Sequence, residues 1–234
     1  MELSKNANLS RLLFSLLVFV FTHGVVAAVP QSDYQQLIKE LNHLRQLHNT
    51  PAYAVHIVSG NKSLFLHAEG LSDRRTNKQA TVDTIFRVGS ITKSFTALAL
   101  LQLQAQGKVK LSDPLRLHLA DAPLDNAWQK TNPVTLEQLM EHTSGLMDLS
   151  KAEFDHSEPA PLTLREGLYY GEPRKIAWQP GLFSSYTNAG AGYVAYVLQK
   201  KTKTSYEEYL RKNIFLPLGM HQASVTLNKN TKQK

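Results

Sequence analysis

Leucine and isoleucine recur at helical spacing in "SDYQQLIKELNHLRQLH" (Ser32–His48), at Leu37, Ile38, Leu41, Leu44 and Leu47. The spacing predicts an amphipathic helix with Ser32 as its N-cap. The period then drops to two. "AYAVHIV" (Ala52–Val58) and "SLFLHAE" (Ser63–Glu69) alternate and are β-rich, and the turn residues "SGN" lie between them, which predicts a hairpin. From Ile91 to Leu103, "ITKSFTALALLQL" carries apolar residues on nearly every face, and Gly107 follows as a stop signal. This pattern predicts a helix buried all round and central to the fold. "TLEQLMEH" (Thr135–His142) predicts a helix opened by a capping box of Thr135 and Gln138 and stopped at Gly145. A Pro- and Gly-punctuated stretch, Pro159–Gly181, reads as loop. Two further helices are expected, one from Asn188 to Lys201 and one from a capping box of Thr204 and Glu207 to Pro217.

Composition narrows the chemistry. The chain has 234 residues, 42% of them hydrophobic, enough for a sizeable core. It has no cysteine, which excludes disulfides, thiolate catalysis and zinc–thiolate sites. The histidines show no metal-ligand spacing, so neither a metal nor a cofactor is expected. Near the start, Lys5 and Arg11 precede or flank the apolar run "LLFSLLVFVF" (Leu12–Phe21), and "VVAA" (Val25–Ala28) supplies small residues at a cleavage point. Residues 1–28 therefore read as a secretory signal peptide, with export to the periplasm or medium. Only an uncleaved segment of this kind would bring the chain to a membrane. The net charge is +7, of which one unit falls in the candidate signal, leaving about +6. The basic residues are scattered, and the densest group is the polar tail "KNTKQK" (Lys229–Lys234), which argues against a nucleic-acid partner.

Candidate chemistry begins at Ser90 and Lys93, three residues apart at the head of the apolar helix. A serine hydroxyl is a weak nucleophile and needs a base. A lysine one turn away can serve, because burial disfavours its ammonium form, and a nearby phenol would titrate with it as a unit. The spacing alone decides nothing, since Ser59 and Lys62 repeat it in a hairpin turn, where an exposed, mobile segment cannot hold two groups in register. Tyr186 and Asn188 form the single Tyr-x-Asn of the chain, after Pro180–Gly181 and before a helix. Read alone, Asn188 serves equally well as an N-cap and Tyr186 as packing.

Together these phrases resemble the serine β-lactamase and penicillin-binding-protein superfamily. "DTIFRVGSITKSFTALALLQLQAQGKVKLSDPL" is similar to its nucleophile helix and exit, and "VTLEQLMEHTSGL" to its Leu-Leu-x-His-Thr-Ser-Gly-Leu segment. "PGLFSSYTNAGAGYVAYVL" and "YEEYLRKNIFLPLGM" resemble the tyrosine loop and the helix behind it. The tyrosine motif points to the branch of class C β-lactamases, D-alanyl-D-alanine carboxypeptidases and esterases, since a class A enzyme carries Ser-Asp-Asn. The resemblance implies an α+β, β-lactamase/transpeptidase-like fold in which a helical region is inserted in an α/β domain. It assigns residues 29–88 to the N-terminal helix and hairpin of the α/β part, 89–220 to the helical region and 221–234 to a polar tail. It implies that Ser90 is acylated, that Lys93 is its proton partner, that Tyr186 is general base and acid, and that Asn188 holds the substrate amide and orients Lys93. The backbone N–H of Ser90 would be one oxyanion donor. His142, Thr143 and Ser144 recur in the family as a structural turn rather than as catalytic groups.

The family's third motif, Lys-Thr-Gly or His-x-Gly on a strand lining the cleft, is not matched. "KTK" (Lys201–Lys203) lies between two helices, and "HQA" (His221–Ala223) lacks the glycine. The sequence therefore predicts that the C-terminal strands and helix of the α/β domain are absent, with one oxyanion donor instead of two. Two functions are expected from this reading. The first is an exported serine hydrolase acting through a Ser90 acyl-enzyme on peptidoglycan-type peptides, β-lactams or esters. The second is a truncated, inactive member of the same family. The partner in the first case is a small-molecule or peptidoglycan-derived substrate; the oligomeric state is not legible.

Overall fold

The computed structural model describes residues 31–154 and 162–226. The candidate signal peptide and most of the polar tail lie outside the described residues. Among the described residues, no helix is long and apolar enough to cross a membrane. Contacts divide the chain into two compact units, Met1–Val82 and Asp83–Lys234.

In the first unit the period change is realised as expected. Helix α1 spans Gln31–Leu47, followed by strands β1 (Ala52–Ser59), β2 (Lys62–Asp73) and the short β3 (Lys78–Gln79). The three strands form an antiparallel sheet in the order β1-β2-β3. Tyr53, Val55 and Ile57 stand opposite Glu69, His67 and Phe65, which places all six on one face. Helix α1 packs there: the Tyr34 ring stacks on Phe65 at 4.7 Å. Ser59 pairs with Lys62 where the chain reverses, so this Ser-x-x-Lys spacing is a turn closure.

The second unit is mostly helical. A 3₁₀ turn at Gly89–Ile91 leads into α2 (Thr92–Ala105). Then come α3 (Leu115–His118), β4 (Leu124–Asp125), α4 (Leu136–Glu141), α5 (Lys151–Phe154), α6 (Leu164–Leu168), β5 (Arg174–Lys175), α7 (Ala189–Thr202) and α8 (Tyr206–Leu210), which continues as a π turn, Arg211–Phe215. β4 and β5 form a two-residue parallel pair.

The apolar helix differs from its expected burial. Thr96, Ala99, Leu100 and Leu103 of α2 are buried, an i, i+3, i+4, i+7 stripe, whereas Leu98 and Leu101 are exposed. A run with apolar residues at almost every position carries no information about which face turns inward, so the sequence overstated the burial. The central helix is α7. It packs against α2, α4, α6 and α8, and Tyr193, Val194, Val197 and Leu198 are fully buried in it. Each such side chain contributes roughly 1.5–3 kcal/mol relative to exposure. Phe95 of α2 meets Phe215 edge-on at 5.2 Å, extending the same core.

Helix ends were legible to within a few residues. The Thr135–Gln138 capping box forms in both directions. The helix it opens stops at His142, which takes a left-handed φ of 63°, three residues before Gly145. The cap of α8 is Ser205, bonded to Glu208 N–H, one residue later than expected; Thr204 instead donates to the Thr202 carbonyl. The Pro- and Gly-punctuated stretch is not all loop: α6 lies within it, opened by a second capping box, Thr163 with Glu166.

Candidate active site

Two helix beginnings converge in the helical unit. Ser90 lies in the 3₁₀ turn that starts α2, with Lys93 one turn on, and Tyr186 and Asn188 lie on the residues that lead into α7. Gly89, at φ 52°, makes the left-handed step into the serine turn.

All four sequence-derived residues meet. The Ser90 Oγ is 2.5 Å from the Tyr186 hydroxyl. The Lys93 Nζ donates to Ser90 Oγ at 3.0 Å, to the Tyr186 hydroxyl at 2.6 Å and to Asn188 Oδ1 at 2.9 Å. An ammonium has three N–H donors and no acceptor, so one arrangement uses all three. The hydrogen bond from Lys93, and then that from Ser90, hold the Tyr186 phenol below its usual pKa. Tyr186 remains half-exposed, so solvent can reach the phenol.

Asn188 has a different duty from the cap that its position suggests. It stands at the N-cap of α7, yet its side chain makes no cap bond. Its carbonyl oxygen is taken by Lys93 and its Nδ2 donates to Asp148 Oδ2 at 3.0 Å. Thr187 takes over the cap, its Oγ1 accepting from Ala189 N–H at 3.1 Å. The Asn188 role of orienting Lys93 thus has a direct bond, while one N–H that could hold a substrate amide is already engaged.

Two residues around the site were not singled out as functional. Asp148 Oδ1 accepts from Asn188 N–H at 2.6 Å and from Thr187 Oγ1 at 3.2 Å. Partial burial raises its pKa, but hydrogen bonds from the N–H groups of Asn188 and Leu149 and from the Asn188 and Thr187 side chains outweigh that and bring it below the ordinary aspartate value. The carboxylate therefore stabilises the fold above its unfolded pKa, about 3.9, and that contribution is lost as pH falls through the lower folded value. Thermal melts between pH 5 and 2 are expected to show a shallower decline for Asp148→Asn than for the parent. His142 packs its ring on Tyr186 at 4.4 Å between centroids and accepts Thr187 N–H at Nδ1, 3.3 Å. Burial first, and Lys93 second, push its pKa down, which keeps the imidazole neutral and able to accept. His142 therefore supports the tyrosine loop, as a structural turn would. Asp148 lies 40 positions before Asn188 with no local motif, so only the three-dimensional arrangement reveals it. Among the described residues no three His, Asp or Glu side chains gather as a metal site would require.

This arrangement can take a proton from a hydroxyl and return it to a leaving group at one place, which is the requirement of acyl transfer. The sequence and fold have known counterparts. The Beta-lactamase family model matches residues 35–233. A penicillin-binding protein of Bacillus subtilis (strain 168) is 27% identical over 201 residues, covering 82% of this chain and 41% of that protein. The octameric penicillin-binding protein homologue from Pyrococcus abyssi superposes with a TM-score of 0.74 at 26% identity, covering 86% of this chain and 46% of that one. A class C beta-lactamase shares the fold with a TM-score of 0.67 at 23% identity, covering 88% of this chain and 55% of its own. The chain thus spans roughly half the length of these relatives. With a family match over most of its length and the fold of these neighbours, the chain belongs to the Beta-lactamase family, within the serine β-lactamase and penicillin-binding-protein superfamily.

Proposed function

We propose that the protein is an exported serine hydrolase that works by acyl transfer through an ester on Ser90. The observation that carries this reading is the closed cluster of Ser90 Oγ, Tyr186 OH, Lys93 Nζ and Asn188 Oδ1. The base is Tyr186 in its phenolate form, which the hydrogen bond from Lys93 favours. Tyr186 accepts the Ser90 proton as Oγ bonds to the substrate carbonyl carbon, and the carbonyl electron pair moves onto oxygen. The Ser90 N–H, at the start of the helical turn, faces that charge. Collapse expels the amine or alkoxide, which takes its proton from Tyr186. A water then attacks the acyl-enzyme carbonyl, giving its proton to the Tyr186 phenolate; collapse breaks the ester bond, and the departing Ser90 Oγ takes that proton back from Tyr186.

Substrates of this reading are β-lactams, peptidoglycan-type peptides or esters, the class that suits a serine acylated beside a phenol. The apolar run Leu12–Phe21 with the small residues that follow supports export; cell fractionation checks it. Turnover of a chromogenic β-lactam and of an activated ester tests the chemistry. Hydrolysis of at least one, lost in Ser90→Ala, is the expected result. No turnover and no acylation above the Ser90→Ala background would leave the inactive-member reading in its place.

A further inference from the structure

We infer that Asp148 is a positioning residue for this acyl transfer, its carboxylate fixing the Asn188 carboxamide with oxygen toward Lys93. The inference deepens the reading above and rests on it for its kinetic consequence. The two ends of a carboxamide have similar shape and opposite hydrogen-bonding character. Asn188 presents its oxygen to Lys93 at 2.9 Å and its nitrogen to Asp148 Oδ2 at 3.0 Å. Turning the group over would face N–H groups toward an ammonium and set a carbonyl oxygen against a carboxylate oxygen. Both contacts are repulsive, so an ionised Asp148 leaves one orientation.

The consequence reaches the nucleophile. With Asn188 Oδ1 held, the three Lys93 donors are divided among Asn188, Tyr186 and Ser90. With it free, the ammonium loses one anchor and its direction toward the Ser90–Tyr186 pair. A purely structural cap would need one carboxylate oxygen. Asp148 uses Oδ1 for that purpose, on Asn188 N–H and Thr187 Oγ1, and commits Oδ2 to the carboxamide. Its own backbone is anchored: Arg174 donates to the Asp148 carbonyl at 3.0 Å while paired with Glu153. The charged and titratable groups that face the carboxamide and phenol are Lys93 from α2, His142 from the end of α4 and Asp148 itself.

The test is a double-mutant cycle on the full chain, using Asp148→Asn and Asn188→Ala, read as the rate of Ser90 acylation by a penicillin. Asp148→Asn is expected to slow acylation by about 10–100-fold, the loss that a small misplacement of a catalytic group causes, with little change in non-covalent binding. The double variant is expected to be no slower than Asn188→Ala alone. Losses that multiply would overturn the inference. A second readout needs no activity: in the ¹⁵N-labelled, unreacted protein, Asp148→Asn is expected to shift the Asn188 carboxamide resonances while the backbone amides of α7 beyond Gly190 stay in place. An unchanged carboxamide would overturn it equally. If the parent is never acylated but the carboxamide responds, the hydrolase reading fails, while the fixing of the Asn188 carboxamide by Asp148 stands without its kinetic consequence. Should Asp148→Asn not fold, Asp148→Ser, smaller and still an acceptor, is read in the same way.

Discussion

Replacing Lys93 by methionine is expected to slow acylation of Ser90 by about 10³-fold, within the range for losing a positioned proton-transfer group. Methionine fills a similar volume and removes all three donors. The Ser90–Tyr186 contact at 2.5 Å can survive, but the hydrogen bond that contributes most to lowering the Tyr186 pKa disappears. The phenol then titrates nearer its usual value of about 10. The residual rate should therefore rise with pH over a range displaced upward from the parent's. Stopped-flow acylation across pH measures both effects. A pH profile that keeps the parent's acidic limb would mean that Lys93 does not set the base.

The second large effect is on folding. Gly190 lies in the second position of α7, where α7 meets α4. A Cβ there would stand 2.5 Å from the Leu139 carbonyl oxygen and 3.3 Å from its carbon. The obstacle is backbone, so no side-chain rotation relieves it, and the two helices must separate. Alanine in a helix gains about 1 kcal/mol over glycine, whereas overpacking of this kind costs about 3 kcal/mol. The clash wins, and Gly190→Ala is expected to destabilise by about 2 kcal/mol, lowering Tm by about 4–8 °C for a unit of this size. Because Asn188 is two residues away, the acylation rate of the folded fraction should also fall. Thermal denaturation checks the first effect; an unchanged or raised Tm would show that the crossing is looser than its geometry.

These two positions illustrate what the sequence could disclose. Ser90, Lys93, Tyr186 and Asn188 were legible because each sits in a short ordered phrase, and the structure brings all four into one hydrogen-bonded cluster. Helix α1 was legible from apolar residues at helical spacing, and the hairpin from two β-rich runs flanking the turn residues Ser59–Asn61. Helix α2 was misjudged for the opposite reason: Leu98, Leu100, Leu101 and Leu103 look alike in sequence, and only packing separates the buried pair from the exposed pair. Asp148 was silent because its partners, Thr187 and Asn188, are far along the chain, and a lone aspartate after a helix reads as loop. Asn188 looked like a cap because asparagine favours that place. The cap passed to Thr187, leaving the carboxamide for Lys93. The Gly190 approach to Leu139 was invisible for a related reason, since a glycine early in a helix does not name the backbone that crosses it.

The most direct measurement is peptide mapping by mass spectrometry after the purified chain has been incubated with a penicillin and, separately, with an activated ester. An acyl adduct confined to the peptide that carries Ser90, absent from Ser90→Ala and formed more slowly in Lys93→Met, is the expected result. An adduct elsewhere on the chain, or an unmodified Ser90 after both probes in protein shown to be folded, would contradict the assignment of Ser90 as the acylated nucleophile.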